Sequence, residues 1–172
     1  SGLKEIIEGS KLNGKFKEIY ASEFHYDGSG VADWPRLAIN YTAKTQFLFR
    51  INKGILDISE DDALNDYVDN EERRIPFRNM IYIGDGLTDV PCMKLVKLNG
   101  GYSIAVYKMG QQNKVAELLL NKRVDFIMPA DYSANKQLYK TVSKIIQKMA
   151  VADDLYDEHL QQMKESEQIK KS

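Results

Sequence analysis

The stretch Met80-Ile81-Tyr82-Ile83-Gly84-Asp85-Gly86-Leu87-Thr88-Asp89 decides how the rest of the chain is read. Its first half is a short apolar run, the pattern of a buried strand. A glycine-flanked carboxylate ends the run, and a second carboxylate follows four residues later. Pro91 stands just beyond, where the first turn of a helix tolerates a missing N–H. The segment therefore reads strand, tight turn, helix. Both carboxylates then lie at the carboxyl end of a strand, where open α/β sheets place their ligands. Hard divalent cations, Mg²⁺ above all, are held there by one or two carboxylates with water and substrate phosphate. A turn aspartate and a helix cap would account for Asp85 and Asp89 taken singly. The pair, set after an apolar strand and beside two glycines that let backbone approach a ligand, favours a metal site.

Composition sets the limits. The 172 residues suffice for one well-cored domain and are few for two. With 24 basic against 25 acidic residues, the chain carries no general basic field, so neither nucleic acid nor anionic membrane is an expected partner. No apolar stretch approaches the ~20 residues that span a bilayer. The first residues read as an amphipathic helix rather than a secretory signal, which makes a cytoplasmic location the default expectation. Cys92 is the sole cysteine, excluding a disulfide framework or cysteine cluster. His25 and His159 lack a ligand-spaced companion and give no zinc site.

Working outward, strand and helix alternate after Asp89. A helix over 90–98 precedes a strand at 103–107. A helix over 112–122 precedes a strand at 124–128, and a long helix runs from about 134 to 150. Such alternation argues for a parallel sheet with helices packed on it. Upstream, a first helix ends near Asn13-Gly14. Strands over 16–26 and 31–41 flank the turn Asp27-Gly28-Ser29-Gly30, a hairpin expected at about 16–41 with one wet face. Phe47, Leu48, Ile51 and Ile55 recur at helical spacing over Ala43–Ile55, and the charged residues of about 57–79 read as an irregular surface excursion. The expected organisation is an α/β core over 1–150 and a helical tail over 151–172. Trp34-Pro35 and the tyrosines read as packing residues, with an interaction surface at Trp34 as the alternative.

The Gly84-Asp85-Gly86-Leu87-Thr88-Asp89 segment closely resembles the fourth motif of the haloacid dehalogenase-like (HAD) hydrolase superfamily, Gly-Asp-Gly-x-x-Asp. Ala43-Lys44-Thr45-Gln46-Phe47-Leu48 is similar to its third motif, a lysine near the amino end of a helix. Ser1-Gly2, before Leu3-Lys4-Glu5-Ile6-Ile7, is similar to its second. The resemblance covers roughly residues 1–150. It implies a Rossmann-like three-layer α/β/α core with a mostly parallel sheet, here incomplete, plus the β-hairpin. The family's first motif, Asp-x-Asp on the first strand, is absent, so the chain is expected to be the carboxyl-terminal part of a longer protein that also carries any cap domain. Asp27, the best internal imitation of that nucleophile, follows a strand too polar for the centre of a parallel sheet.

The resemblance implies a Mg²⁺-dependent phosphohydrolase in which an aspartate attacks phosphorus, forming an aspartyl-phosphate that water hydrolyses. Two anions must meet, and positive charge between them is required. On this expectation Asp85 ligates Mg²⁺ directly, and Asp89 is a catalytic residue that ligates through water or anchors Lys44. Lys44 neutralises the nucleophile and phosphoryl group. Arg50 and Lys53 lie on the same helix but further from its start. Ser1 and Gly2 bind phosphate oxygens at a helix start. The expected partners are a small phosphorylated substrate and, across an edge left open, the missing amino-terminal segment or a second copy. The 172 residues alone are expected to be inactive. The alternative is a non-catalytic interaction module of the same fold. A phospho-acceptor receiver domain fits less well, lacking an early acidic pair and a late strand lysine.

Overall fold

A computed structural model describes residues 2–60, 62–69 and 72–171. The chain divides into two units, one through Pro76 and one from Phe77.

In the first unit, helix α1 (Leu3–Glu8) precedes strands β1 (Glu23–Tyr26) and β2 (Ala32–Leu37), followed by α2 (Tyr41–Lys53) and the single turn α3 (Asp62–Asn65). The strands pair antiparallel from Glu23↔Leu37 to Tyr26↔Ala32, with two irregularities in register. They are shorter than the sequence pattern suggests, and both faces are largely exposed, including Phe24, Tyr26 and Trp34. Pro35 within β2 removes a donor that a wider sheet would need, which suits a two-stranded ribbon. Asp27 builds the turn: its Oδ1 accepts from the Ser29 N–H, the Ser29 hydroxyl and the Val31 N–H.

Helix α2 has strong stop signals at both ends. Asn40 Oδ1 accepts from the N–H groups of Thr42 and Ala43, and Gly54 closes the helix at φ +80, a conformation that favours glycine. Its last turns reach into the excursion. Buried Arg50 donates to the carbonyls of Asp57, Ile58 and Glu60 at 2.8, 3.3 and 3.3 Å. Asn52 donates to the Ile75 carbonyl at 2.8 Å and accepts from Arg73 at 2.9 Å, while Lys53 donates to the Leu64 carbonyl at 2.7 Å. The irregular segment is thus tied to α2 by side chains that satisfy its backbone.

The second unit contains β3 (Ile81–Gly84), α4 (Val90–Leu98), β4 (Tyr102–Tyr107), α5 (Asn113–Leu120), β5 (Phe126–Pro129) and α6 (Gln137–Lys171). The three strands form a parallel sheet in the order β3-β4-β5, with Gly84 beside Ala105 and Tyr107 beside Pro129. Central β4 is buried from Ser103 to Val106, and its side chains alternate between faces. Ala105 packs with Met93 of α4 and with Val115 and Leu118 of α5. Ile104 and Val106 pack instead with Met128, Leu138 and Ile145, the last two from α6. Each such side chain removed from water contributes about 1.5–3 kcal/mol for the larger aliphatics. The unit is mixed α/β, with helices on both faces of a parallel sheet.

Helix α6 does not end near residue 150 but continues unbroken to Lys171, because no glycine or proline interrupts 137–171. Asp153 fastens it by accepting from Asn79 at 2.6 Å, and the Arg78 guanidinium lies 4.7 Å from the Tyr156 ring centre. Among the described residues no helix is long and apolar enough to cross a membrane.

Candidate functional site

Strand β3 ends at Gly84. The backbone then turns through Asp85 and Gly86 into a 3₁₀ turn, Leu87–Asp89, that runs on into α4 with Pro91 in its first turn. Asp89 is only 6% exposed and holds this turn from within. Its Oδ1 accepts from the Tyr82 hydroxyl at 2.8 Å, and its Oδ2 accepts from the Gly86 N–H at 3.3 Å. Gly84 makes room for it. A Cβ there would stand 2.7 Å from the Asp89 Cβ, Cγ and Oδ2, closer than packed atoms approach. Burial and then the hydrogen bond to Asp89 push the Tyr82 hydroxyl far above the ordinary phenol range, so Tyr82 stays a donor at every physiological pH. Buried Cys92 lies beside that hydroxyl and acts as a small packing residue.

Asp85 is placed differently. It is exposed and makes no hydrogen bond or ion pair among the described residues. Its carboxylate lines a cleft of about 420 Å³. Residues at the carboxyl ends of all three strands form this cleft: Ile83 and Gly84 from β3, Val106 and Tyr107 from β4, and Ala130 just past β5. Lys108, Gln111, Lys114 and Tyr132 complete its polar lining. Ligands of open parallel sheets bind in this crevice.

Among the described residues no group of three or more His, Cys, Asp or Glu side chains is gathered as a metal cage. One open carboxylate, in a turn fixed by a second, could take only a small hard cation that keeps most of its waters. It fits Mg²⁺ and does not fit zinc. Asp85 would hold such an ion, with Asp89 fixing the turn that carries it.

The other expected site residues lie in the first unit. Lys44 is half-buried in the second turn of α2, and Gly2 is the exposed residue before α1, without a side-chain cap. Ser1 lies outside the described residues. Asp27 is a turn residue whose carboxyl is held below the usual carboxylate range by the Ser29 hydroxyl, then by the N–H groups of Val31 and Ser29. Sequence reasoning passed over Tyr82, Lys108 and Lys114. Tyr82 carried no signal, since a tyrosine within an apolar run reads as packing. The lysines did: one directly follows a strand, the other opens a helix against its dipole.

No family model matches the chain, and no solved structure matches it. A protein of Borreliella burgdorferi, described as an uncharacterized protein, is 26% identical over 163 residues, covering 85% of this chain and 55% of that protein. The chain thus spans about half the length of the curated relative it matches.

Proposed function

We propose that this chain is part of a Mg²⁺-dependent hydrolase of the haloacid dehalogenase-like type, built on a Rossmann-like three-layer core. Its substrate is a phosphomonoester, and the attacking aspartate comes from a segment outside these 172 residues. The open carboxylate of Asp85, at the carboxyl tip of β3, is the observation that carries this reading. Bound there, Mg²⁺ supplies positive charge between nucleophile and phosphate. Asp85 holds the ion, and Asp89 fixes the orientation of the turn through Tyr82 and Gly86. Lys44 is assigned a second positive charge for the phosphoryl group by its place near the start of α2. Gly2, before α1, contributes backbone to phosphate binding.

Among the described residues β3 is an edge strand of its sheet, which favours the same reading because a further strand can pair there. A strand of the segment proposed to carry the attacking aspartate is the proposed occupant. Hydrolysis of p-nitrophenyl phosphate tests the proposal. Protein extended upstream through the next strand should turn over with Mg²⁺, and its Asp85→Asn variant should not. Turnover by the 172 residues alone would place the nucleophile wrongly. A second reading, a non-catalytic module of this fold, draws support from the exposed aromatics Phe24, Tyr26 and Trp34 on the hairpin. It expects no turnover from the extended protein under any metal.

A further inference from the structure

The cleft beside Asp85 has a second polar wall that cation and phosphate binding leave unused. Lys108 follows the last residue of β4, and Lys114 lies in the first turn of α5. Both are exposed, and neither ammonium makes an ion pair or hydrogen bond among the described residues. Two lysines elsewhere in the unit are engaged, Lys97 with Asp125 and Lys148 with the Tyr102 hydroxyl, and neither lines the cleft. Asp85 is the sole acidic residue in the lining.

Lys114 is also badly placed for its own helix. Helix α5 has no side-chain cap and no acidic residue in its first turn. A cation there opposes the helix dipole, although the N–H groups of Lys114 and Val115 are themselves met by the Gln111 and Gln112 carbonyls. Local preference and observed placement conflict, as they do where a site rather than the fold sets the residue. An anion in the cleft would resolve the conflict by meeting both lysines together.

Resting on the phosphohydrolase reading above, we infer that Lys108 and Lys114 form a subsite for a second anionic group. The substrate is then a small phosphomonoester that also carries a carboxylate or comparable anion. Its phosphate is turned to Asp85 and its second anion to the lysines. Charge accounting separates the two ends. The phosphate is met by the cation on Asp85, and the two ammonium groups on the β4–α5 side are free to meet a second anion. A cleft of about 420 Å³ holds considerably more than a phosphate group and falls within the ~300–1,000 Å³ of small-molecule sites. Gln111 and Tyr132 add neutral hydrogen-bonding groups along the same wall.

Titration calorimetry with Mg²⁺ present, using glycerol 3-phosphate and 3-phosphoglycerate, tests this directly. The probes share a three-carbon skeleton and differ by a carboxylate. The wild-type chain should bind 3-phosphoglycerate about tenfold more tightly, the scale of a charge-assisted contact. The double variant Lys108→Ala/Lys114→Ala should reduce that preference to under about twofold while leaving glycerol 3-phosphate binding unchanged. Both side chains are exposed, and unchanged urea midpoints will show that the fold is intact. Asp85→Asn should weaken both probes alike and keep their ratio. Equal affinity for the two probes in the wild type would overturn the inference. Equal weakening of both probes by the double variant would also overturn it, placing the lysines on the phosphate itself. If neither probe binds in Mg²⁺, the phosphohydrolase reading fails and the subsite with it.

Discussion

The two ends of the parallel sheet use the same residue types for opposite purposes. At the amino end, Asp125 accepts from the Ser103 N–H at 2.8 Å and the Ser103 hydroxyl at 3.1 Å, and it pairs with Lys97 at 3.2 Å. Lys97 further donates to the Val124 carbonyl at 2.7 Å. Acid, base and hydroxyl answer one another, as groups withdrawn from water must. At the carboxyl end, Asp85, Lys108 and Lys114 face one cleft, and their charged groups have no partner among the described residues. Beneath them Asp89, with both oxygens engaged, keeps the turn in place. A closed polar cluster stabilises a fold, whereas an open one beside a rigid strand end is available to a ligand.

That contrast can be broken by substitution. The largest stability effect belongs to the amino end: Asp125→Ala strands the buried Ser103 N–H and should cost about 2 kcal/mol in urea unfolding, with metal affinity unchanged. Next comes Tyr82→Phe, which should cost about 1 kcal/mol. By loosening the support of Asp89 it should also weaken Mn²⁺ binding about tenfold in calorimetry. Asp85→Asn should change stability by under about 0.5 kcal/mol yet remove metal binding, the reverse of the Asp125 variant.

The smallest effect concerns Asp131, between the cleft residues Ala130 and Tyr132. The Ser133 hydroxyl and then its N–H hold the Asp131 carboxyl below its ordinary value. A carboxyl depressed in the folded state adds stability above its unfolded pKa, and that stability disappears as pH falls through the folded value. Ser133→Ala should raise the Asp131 midpoint in an NMR pH titration and flatten that acid dependence.

The sheet of the second unit was legible because its signals are local. Apolar β3, Gly84, Gly86 and Pro91 fix strand, turn and helix within a dozen residues, and β4 and β5 follow as apolar runs of strand length. Three features escaped for physical reasons. The hairpin's strands are shorter than the alternation suggests, because alternation marks possible pairing without saying how far it extends. The excursion after α2 is held by Arg50, Asn52 and Lys53 bonding to backbone carbonyls, interactions that leave no periodicity to read. The residues past 150 read as helical but as a separate tail, whereas nothing in 137–171 stops a helix and the two stretches are one. At the site, spacing placed Asp85 and Asp89 in one turn but could not say which would be buried. Gly84 decides that, since only a residue without Cβ lets Asp89 fold back against the strand.

Electron paramagnetic resonance of Mn²⁺, a spectroscopic stand-in for Mg²⁺, tests the central claim most directly. Titrated with the ion, the wild-type chain and its Asp125→Asn variant should bind it equally, and the Asp85→Asn variant should leave the spectrum of free aqueous Mn²⁺. An Asp85→Asn variant that binds as tightly as the wild type would contradict the account, and the carboxyl end of the sheet would lose its claim to the chemistry.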